Sequence, residues 1–132
     1  MSIPLLCIAL LAFLGIGLGF AVSSIRGKTG VVHGSSTDPE DILYKTMRAH
    51  GNTVEYVSIL ALLIYILGQV QQPAWVIWFM VLVTVSRYSF AAGMIFPKSL
   101  DKRNPMRLLG AMGTYIFGIG LCIAVLLQAL NA

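Results

Sequence analysis

The chain has 132 residues, of which 58% are hydrophobic and only 11% are charged, and its mean hydropathy is +0.85. Soluble globular domains carry about 25% charged residues, so this composition excludes a soluble enzyme and indicates an integral membrane protein. The net charge of +4 does not indicate nucleic-acid binding, because the basic residues flank apolar segments and form no continuous basic run.

Four apolar segments follow one another along the chain. Each is long enough to cross a hydrocarbon core of about 30 Å, which takes about 20 helical residues. The segments cover roughly residues 3–25, 43–70, 73–96 and 105–130. We therefore predict an all-α membrane protein, a four-transmembrane-helix up-down bundle that forms a single membrane domain over residues 1–132.

The first segment has its basic residues after the apolar run, which is typical of a retained span and not of a cleaved signal peptide. Gly15 and Gly19 place small residues on one face of this helix, and such faces allow close helix packing in lipid. Together with charges inside the spans, they predict self-association. Cys7 and Cys122 lie within apolar helices, and we interpret both as buried, unpaired thiols, with a disulfide or a reactive site as the alternative.

The connections between the spans predict the orientation. Lys and Arg flank the first and third connections, whereas the short second connection and both termini have none. The positive-inside rule then places the first and third connections in the cytosol and both termini on the other side. We expect a bacterial inner membrane, with the endoplasmic reticulum as the alternative. In the first connection, Thr37 is predicted to cap the second helix, and Asn104 with Pro105 is predicted to begin the fourth.

Tyr44, Arg48, Asn52 and Glu55 form a polar stripe along the second predicted helix. At 100° per residue, the last three lie within about 60° of one another, and Tyr44 lies on the same face one turn earlier. His50 points almost to the opposite side. A charge inside a membrane costs on the order of 3 kcal/mol at the helix centre, so this stripe indicates a functional site.

Glu55 on the second helix and Arg87 on the third are predicted to reach the same depth. At 1.5 Å per residue, they lie roughly 22 Å and 21 Å from the turn between these helices. We expect them to face each other in a cytosol-facing bowl with Arg26, Arg48 and Arg107 nearer its edge. A purely structural ion pair and headgroup contacts of the edge arginines are the simpler alternative. An ion or proton transporter is less favoured, because the charges occupy one half of the membrane.

The run Arg48-Ala49-His50-Gly51-Asn52-Thr53-Val54-Glu55-Tyr56 resembles the signature of the MAPEG family, the membrane-associated proteins in eicosanoid and glutathione metabolism. The resemblance extends over essentially the whole chain, with a helix-three arginine at Arg87 and Asn104-Pro105-Met106-Arg107 opening helix four. It is closest in character to the microsomal glutathione transferases of that family.

The resemblance implies a homotrimer that binds glutathione as a co-substrate between subunits, near the cytosolic side. Arg107 would stabilise the glutathione thiolate and is the predicted catalytic residue. The residues that would bind glutathione are Arg26 (from a neighbouring subunit), Arg48, His50, Asn52, Glu55, Tyr56 and Arg87. Glu55 would take the α-amine, and His50 would have a supporting role. The second reactant would be an apolar electrophile or hydroperoxide that arrives through the lipid bilayer.

Two positions depart from the eicosanoid-forming members. Where those carry a tyrosine or histidine after the helix-three arginine, and a further tyrosine one turn on, this chain has Phe90 and Met94. General glutathione transfer or peroxide reduction is therefore favoured over eicosanoid synthesis. A lipid- or glutathione-binding protein without catalytic activity is the alternative. No metal site is expected, because His33 and His50 lack a second ligand at a useful spacing.

Overall fold

The computed structural model describes residues 1–131, which form four long helices joined by three connections. The helices are α1 (Ile3–Thr29), α2 (Ile42–Leu67), α3 (Ala74–Ile95) and α4 (Pro105–Leu130). All four are long and apolar enough to cross a membrane. The prediction of four membrane-spanning helices is confirmed, and the largest difference in bounds is at α1, which continues to Thr29.

The helix termini are set by local capping. α4 begins after Asn104, whose side-chain oxygen accepts a hydrogen bond from the Arg107 N–H at 3.1 Å, as predicted. α2 begins at Ile42, four residues later than the predicted cap at Thr37 would imply. Its cap is Asp41, whose carboxylate accepts from the Leu43 N–H at 2.9 Å. The prediction of a cap at Thr37 is wrong, because Thr37 lies in the connection four residues before that cap.

The Asp41 carboxylate also accepts a hydrogen bond from the Ser36 hydroxyl at 2.6 Å. This bond, followed by the one from the Leu43 N–H, holds the pKa of Asp41 below its ordinary value, since both stabilise the ionised form. The first connection is thereby tied to the start of α2.

Contacts between helix ends define an up-down bundle. Pro4 of α1 lies against Gly68, where α2 ends, and the Gln72 side chain donates to Gln128 Oε1 of α4 at 3.0 Å. Both termini and the turn at residues 68–73 therefore share one end of the bundle, called here the terminal end. The opposite, loop end carries the connections at residues 30–41 and 96–104, where the Leu100 N–H donates to the Pro39 carbonyl at 3.0 Å.

Glycines let α3 and α4 approach closely near the loop end. A Cβ atom at Gly110 would overlap the backbone of Phe90, and one at Gly93 would overlap the backbone of Arg107. Backbone contact of this kind is the usual means by which helices pack tightly in lipid. It places the first turn of α4, which carries Arg107, directly on α3.

Buried apolar side chains form two clusters. The larger one includes Cys7, Leu11, Ile64, Leu67 and Leu121 and extends towards the terminal end, whereas the smaller contains Leu18, Ala49, Ala91 and Met94. Cys7 is buried, as predicted, and both cysteines are free. The prediction that Cys122 is buried is wrong in this chain, because its side chain lies on the exposed face of α4.

Candidate functional site

A cavity of about 370 Å³ lies at the loop end, among α2, α3, α4 and the two long connections. Three of its lining residues carry full charges: Arg48, Asp101 and Arg107. The other lining residues are Thr37, Pro39, Tyr44, Asn52, Phe90, Met94 and Leu100. The size lies within the range of about 300–1,000 Å³ that is usual for small-molecule sites.

One face of α2 supplies the polar wall of the cavity. Tyr44, Arg48 and Asn52 follow one another at intervals of four residues, and a helix places such residues above one another. Glu55, the fourth member of the predicted stripe, does not line the cavity, and its side chain is exposed. The stripe therefore divides between the cavity and the outer surface.

Arg87 of α3 lies behind the cavity and is 1% exposed. One of its terminal nitrogens donates to Asn52 Oδ1 at 2.8 Å and to Thr53 Oγ1 at 3.4 Å, and the other donates to Thr114 Oγ1 at 3.5 Å. The guanidinium carbon lies 5.0 Å from the centroid of the Tyr56 ring. Neutral oxygens and a ring face thus surround this charge.

The predicted ion pair between Arg87 and Glu55 is wrong in this chain. Thr53, which Arg87 contacts, is 0% exposed. Glu55 lies one turn beyond Asn52, but its side chain is exposed and it is not among the hydrogen-bond partners of the guanidinium. Arg87 bonds to neutral partners in the interior, whereas Glu55 lies on the exposed side of α2.

The Arg87 contact also orients Asn52. Because Asn52 Oδ1 accepts the hydrogen bond from Arg87, the side chain is oriented with its NH₂ free to donate within the cavity. A ligand group that meets this NH₂ must be an acceptor, such as a carboxylate or a carbonyl. Arg87 is in this sense a positioning residue.

Arg107 is held in place by the connection before it. Its two terminal nitrogens donate to the Leu100 carbonyl at 3.0 Å and to the Lys102 carbonyl at 3.1 Å. A guanidinium has five N–H donors, so donors remain for a ligand. These contacts fix a positive charge at the cavity wall.

Two further sets of contacts fix the two connections that border the cavity. Lys45 is 6% exposed, and its ammonium donates to the Pro97 carbonyl at 2.8 Å and to the Lys98 carbonyl at 3.4 Å. The hydrogen bond between Leu100 and Pro39 joins the two connections. By sequence Lys45 is one of the basic residues beside the first connection, and its place inside a helical segment is the signal for its burial and bonding.

The remaining predicted site residues lie outside this cavity in the single chain. Arg26 donates to the Val31 carbonyl at 3.1 Å and to Met47 Sδ at 3.3 Å. His50 points to α1, where its Nε2 would lie 3.1 Å from a Cβ atom placed on Gly19. The Tyr56 hydroxyl donates to the Tyr115 hydroxyl at 3.1 Å on the outer side of α2 and α4.

The structure thus gathers Arg48, Asn52 and Arg107 around one cavity and adds Tyr44 and Asp101. Tyr44 belonged to the predicted polar stripe but not to the predicted glutathione-binding residues, and Asp101 was not predicted. Within residues 1–131, no group of three or more His, Cys, Asp and Glu side chains is arranged to hold a metal ion. The site is therefore a set of hydrogen-bond donors and charges suited to a small organic anion.

Comparison with protein-family models identifies one family. No curated protein matches the chain. The model of the MAPEG family matches residues 4–127, which includes all of α2 and α3 and nearly all of α1 and α4. On that match over nearly its whole length, the chain belongs to the MAPEG family.

Proposed function

We propose that the protein is a glutathione-dependent membrane transferase or peroxidase that acts on apolar electrophiles or hydroperoxides. The observation that carries the proposal is the convergence of Arg48, Asn52 and Arg107 on one cavity at the loop end. Membership of a family of eicosanoid and glutathione metabolism supports it.

The donors of the cavity match the chemistry of glutathione. The tripeptide has two carboxylates, and Arg48 and Arg107 each present a guanidinium, the group best suited to carboxylate binding. The Asn52 amide supplies a further donor for a carboxylate or a peptide carbonyl. The free thiol of the tripeptide then has to lie near a positive charge if it is to react.

Arg107 would supply that charge. A thiol with an ordinary pKa of about 8.5 is only a few per cent ionised at neutral pH, and the thiolate is the nucleophile. Lowering the pKa by about 2 units takes about 2.7 kcal/mol of preferential stabilisation of the anion. Arg107, immobilised by the Leu100 and Lys102 carbonyls, can provide this without reorganising when the thiol ionises.

An apolar reactant can approach Arg107 from the membrane side. A second cavity, of about 760 Å³, shares Phe90 and Arg107 with the first and continues over Leu108 and Ala111 of α4. Phe90 and Leu108 give it a largely apolar wall. An electrophile dissolved in lipid would thus meet the thiolate at the boundary between the two cavities, where Arg107 stands.

The proposal includes assembly as a homotrimer in a bacterial inner membrane, or alternatively in the endoplasmic reticulum. The exposed Glu55 supports assembly, because a carboxylate inside the hydrocarbon region is costly unless another chain covers it. Arg26 would contribute to the site of a neighbour. The basic residues of the loop end support an orientation with that end in the cytosol and both termini on the opposite side.

The test is the ultraviolet absorbance of thiolate when glutathione is added to purified protein in detergent. We expect a thiolate band at neutral pH in the wild type and its loss in Arg107→Ala, with Arg107→Lys restoring part of it. Lys28→Ala is the matched control, because Lys28 is an exposed basic residue of the loop end that lines neither cavity. Absence of the band in the wild type would refute the catalytic assignment.

A second candidate function is non-enzymatic binding of glutathione or lipid. It is favoured by one observation: Phe90 and Met94 line the cavity and carry no hydroxyl or thiol that could donate a proton during reaction. Glutathione would then raise the thermal stability of the protein without forming a thiolate band. If neither occurs and ordered lipid fills the cavity, the lipid-binding form of this function is favoured.

A further inference from the structure

Two residues stand between the polar cavity at the loop end and the second, largely apolar cavity. Phe90 and Arg107 line both cavities, whereas every other lining residue belongs to one of them alone. Because the two cavities are distinct, the opening between Phe90 and Arg107 is narrower than either. An apolar reactant that moves from the second cavity towards a thiolate at Arg107 must therefore pass the Phe90 ring.

The Phe90 ring is held by a buried charge. The guanidinium carbon of Arg87 lies 4.9 Å from the centroid of the ring, within the range of a cation–π contact. Arg87 is itself 1% exposed, and its terminal nitrogens donate to three side-chain oxygens. Because the cation is fixed by those hydrogen bonds, its attraction for the ring face favours one position of the Phe90 side chain.

The backbone at Phe90 is fixed as well. A Cβ atom on Gly110 would overlap the Phe90 backbone, and one on Gly93 would overlap the Arg107 backbone, so α3 and α4 touch at both residues. The width of the opening therefore depends on the Phe90 side chain and not on a shift of the helices. Both residues belong to one chain, so the opening between them does not depend on which outer faces a neighbouring subunit covers.

We propose that Phe90 determines which apolar reactants reach the thiolate, by admitting an unbranched alkyl chain at the reacting atom and excluding a ring or a branched group there. An extended alkyl chain is narrower than a saturated ring, so a fixed aromatic side chain at the opening separates the two. This inference rests on the proposed function, since it concerns the reactant that meets the thiolate beside Arg107. Phe90 then acts on the selectivity of the reaction, although it has no group that could donate a proton.

The experiment measures the equilibrium binding of two thioethers of glutathione by calorimetric titration of the intact protein in detergent. One carries an unbranched hexyl group on sulfur, and the other carries a cyclohexyl group. The two groups have the same number of carbon atoms and differ in width at the carbon bonded to sulfur. The variants are Phe90→Ala and Phe90→Leu. Phe96→Ala is the control, because Phe96 is 82% exposed and lines neither cavity.

We expect the wild type to bind the hexyl thioether about 10-fold more tightly than the cyclohexyl thioether, since one methylene in an apolar pocket is already worth about that much. Phe90→Ala should remove most of this preference by tightening the binding of the cyclohexyl thioether, and Phe90→Leu should give an intermediate ratio. Phe96→Ala should keep the ratio of the wild type. The ratio is independent of how much of each variant is folded.

Other outcomes overturn the inference. No preference for the hexyl thioether in the wild type, or the same ratio in wild type and Phe90→Ala, would show that Phe90 does not limit the width of the reactant. Equal weakening of both thioethers in Phe90→Ala would assign the ring a purely structural role. If the wild type binds glutathione but neither thioether, the inference fails and the proposed function stands. If it does not bind glutathione either, both fail.

Discussion

The two ends of the bundle are built on different principles. At the terminal end, Leu67, Ile64 and Leu121 are 0% exposed and pack against other apolar side chains, with Gln72 and Gln128 as a polar contact at the margin. At the loop end, the buried groups include Lys45 and Arg87, and a polar cavity interrupts the packing. Apolar packing there is limited to the smaller cluster.

This difference indicates that the two ends have different roles, one in stability and the other in ligand recognition. Buried charges that are satisfied by carbonyls, amides and hydroxyls contribute little net stability compared with apolar packing, but their removal leaves costly unpaired groups. We infer that apolar packing at the terminal end holds the helices together. The loop end contains buried polar groups, which contribute less net stability but position Asn52 and Arg107. Three substitutions test this division, beginning with the largest expected effect.

Leu67→Ala at the terminal end should lower the free energy of unfolding by about 2–5 kcal/mol, the usual cost of a cavity in a packed core. Leu67 is 0% exposed and lines neither of the two cavities at the loop end. Thermal unfolding in detergent measures the loss, and Leu62→Ala, at a leucine 58% exposed, is the control. Glutathione affinity per folded molecule should be unchanged. A drop of several-fold would contradict the division between the two ends.

Arg87→Lys at the loop end should weaken glutathione binding about 10-fold, or about 1.4 kcal/mol, and change stability less than Leu67→Ala does. A lysine keeps the charge but cannot reproduce the several contacts of the guanidinium, so the Asn52 amide loses its fixed orientation. Calorimetric titration measures the effect. Lys28→Arg, at an exposed lysine that lines neither cavity, should leave the affinity unchanged. Equal affinities in wild type and Arg87→Lys would rule out the positioning role.

The smallest effect concerns the acid sensitivity of the loop end. The pKa of Asp41 is lowered in the folded chain, chiefly by the Ser36 hydroxyl, so the stability this contributes is complete above the ordinary value of 3.8 and is lost as pH falls through the folded pKa. Ser36→Ala should cost about 0.5 kcal/mol at neutral pH and flatten the fall of the unfolding temperature in acid. Ser35→Ala is the control, and an identical acid profile in wild type and Ser36→Ala would contradict the assignment.

Much of the bundle could be predicted because its signals are local. Length and apolarity determine a span by themselves, so α3 and α4 were predicted to within one residue at each end. The N-cap of α4 at Asn104 was equally predictable from the sequence. The N-cap of α2 was not, because Thr37 and Asp41 are both acceptable caps, and only the Ser36 and Leu43 hydrogen bonds select Asp41.

The candidate site was predictable only in part. The spacing of Arg48 and Asn52 placed them on one face, and both line the cavity. Matching depths suggested that Glu55 and Arg87 would pair, but depth along a helix says nothing about the rotation of its neighbour. Asp101 gave no signal, since its position depends on how Arg107 folds the connection back onto itself.

The amino-acid sequence alone determined that this chain crosses a membrane four times, that its basic residues gather at one end, and that a family-specific polar run enters α2. These properties follow from hydrophobicity, charge and length, which each segment carries independently of the others. Only the tertiary structure decided that Arg87 holds Asn52, that Arg107 anchors Asp101, and that Glu55 faces outward. Those outcomes depend on how each helix is rotated about its axis and packed on its neighbours, which no single segment carries; the close approach of α3 and α4 at Gly93 and Gly110 is one such contact.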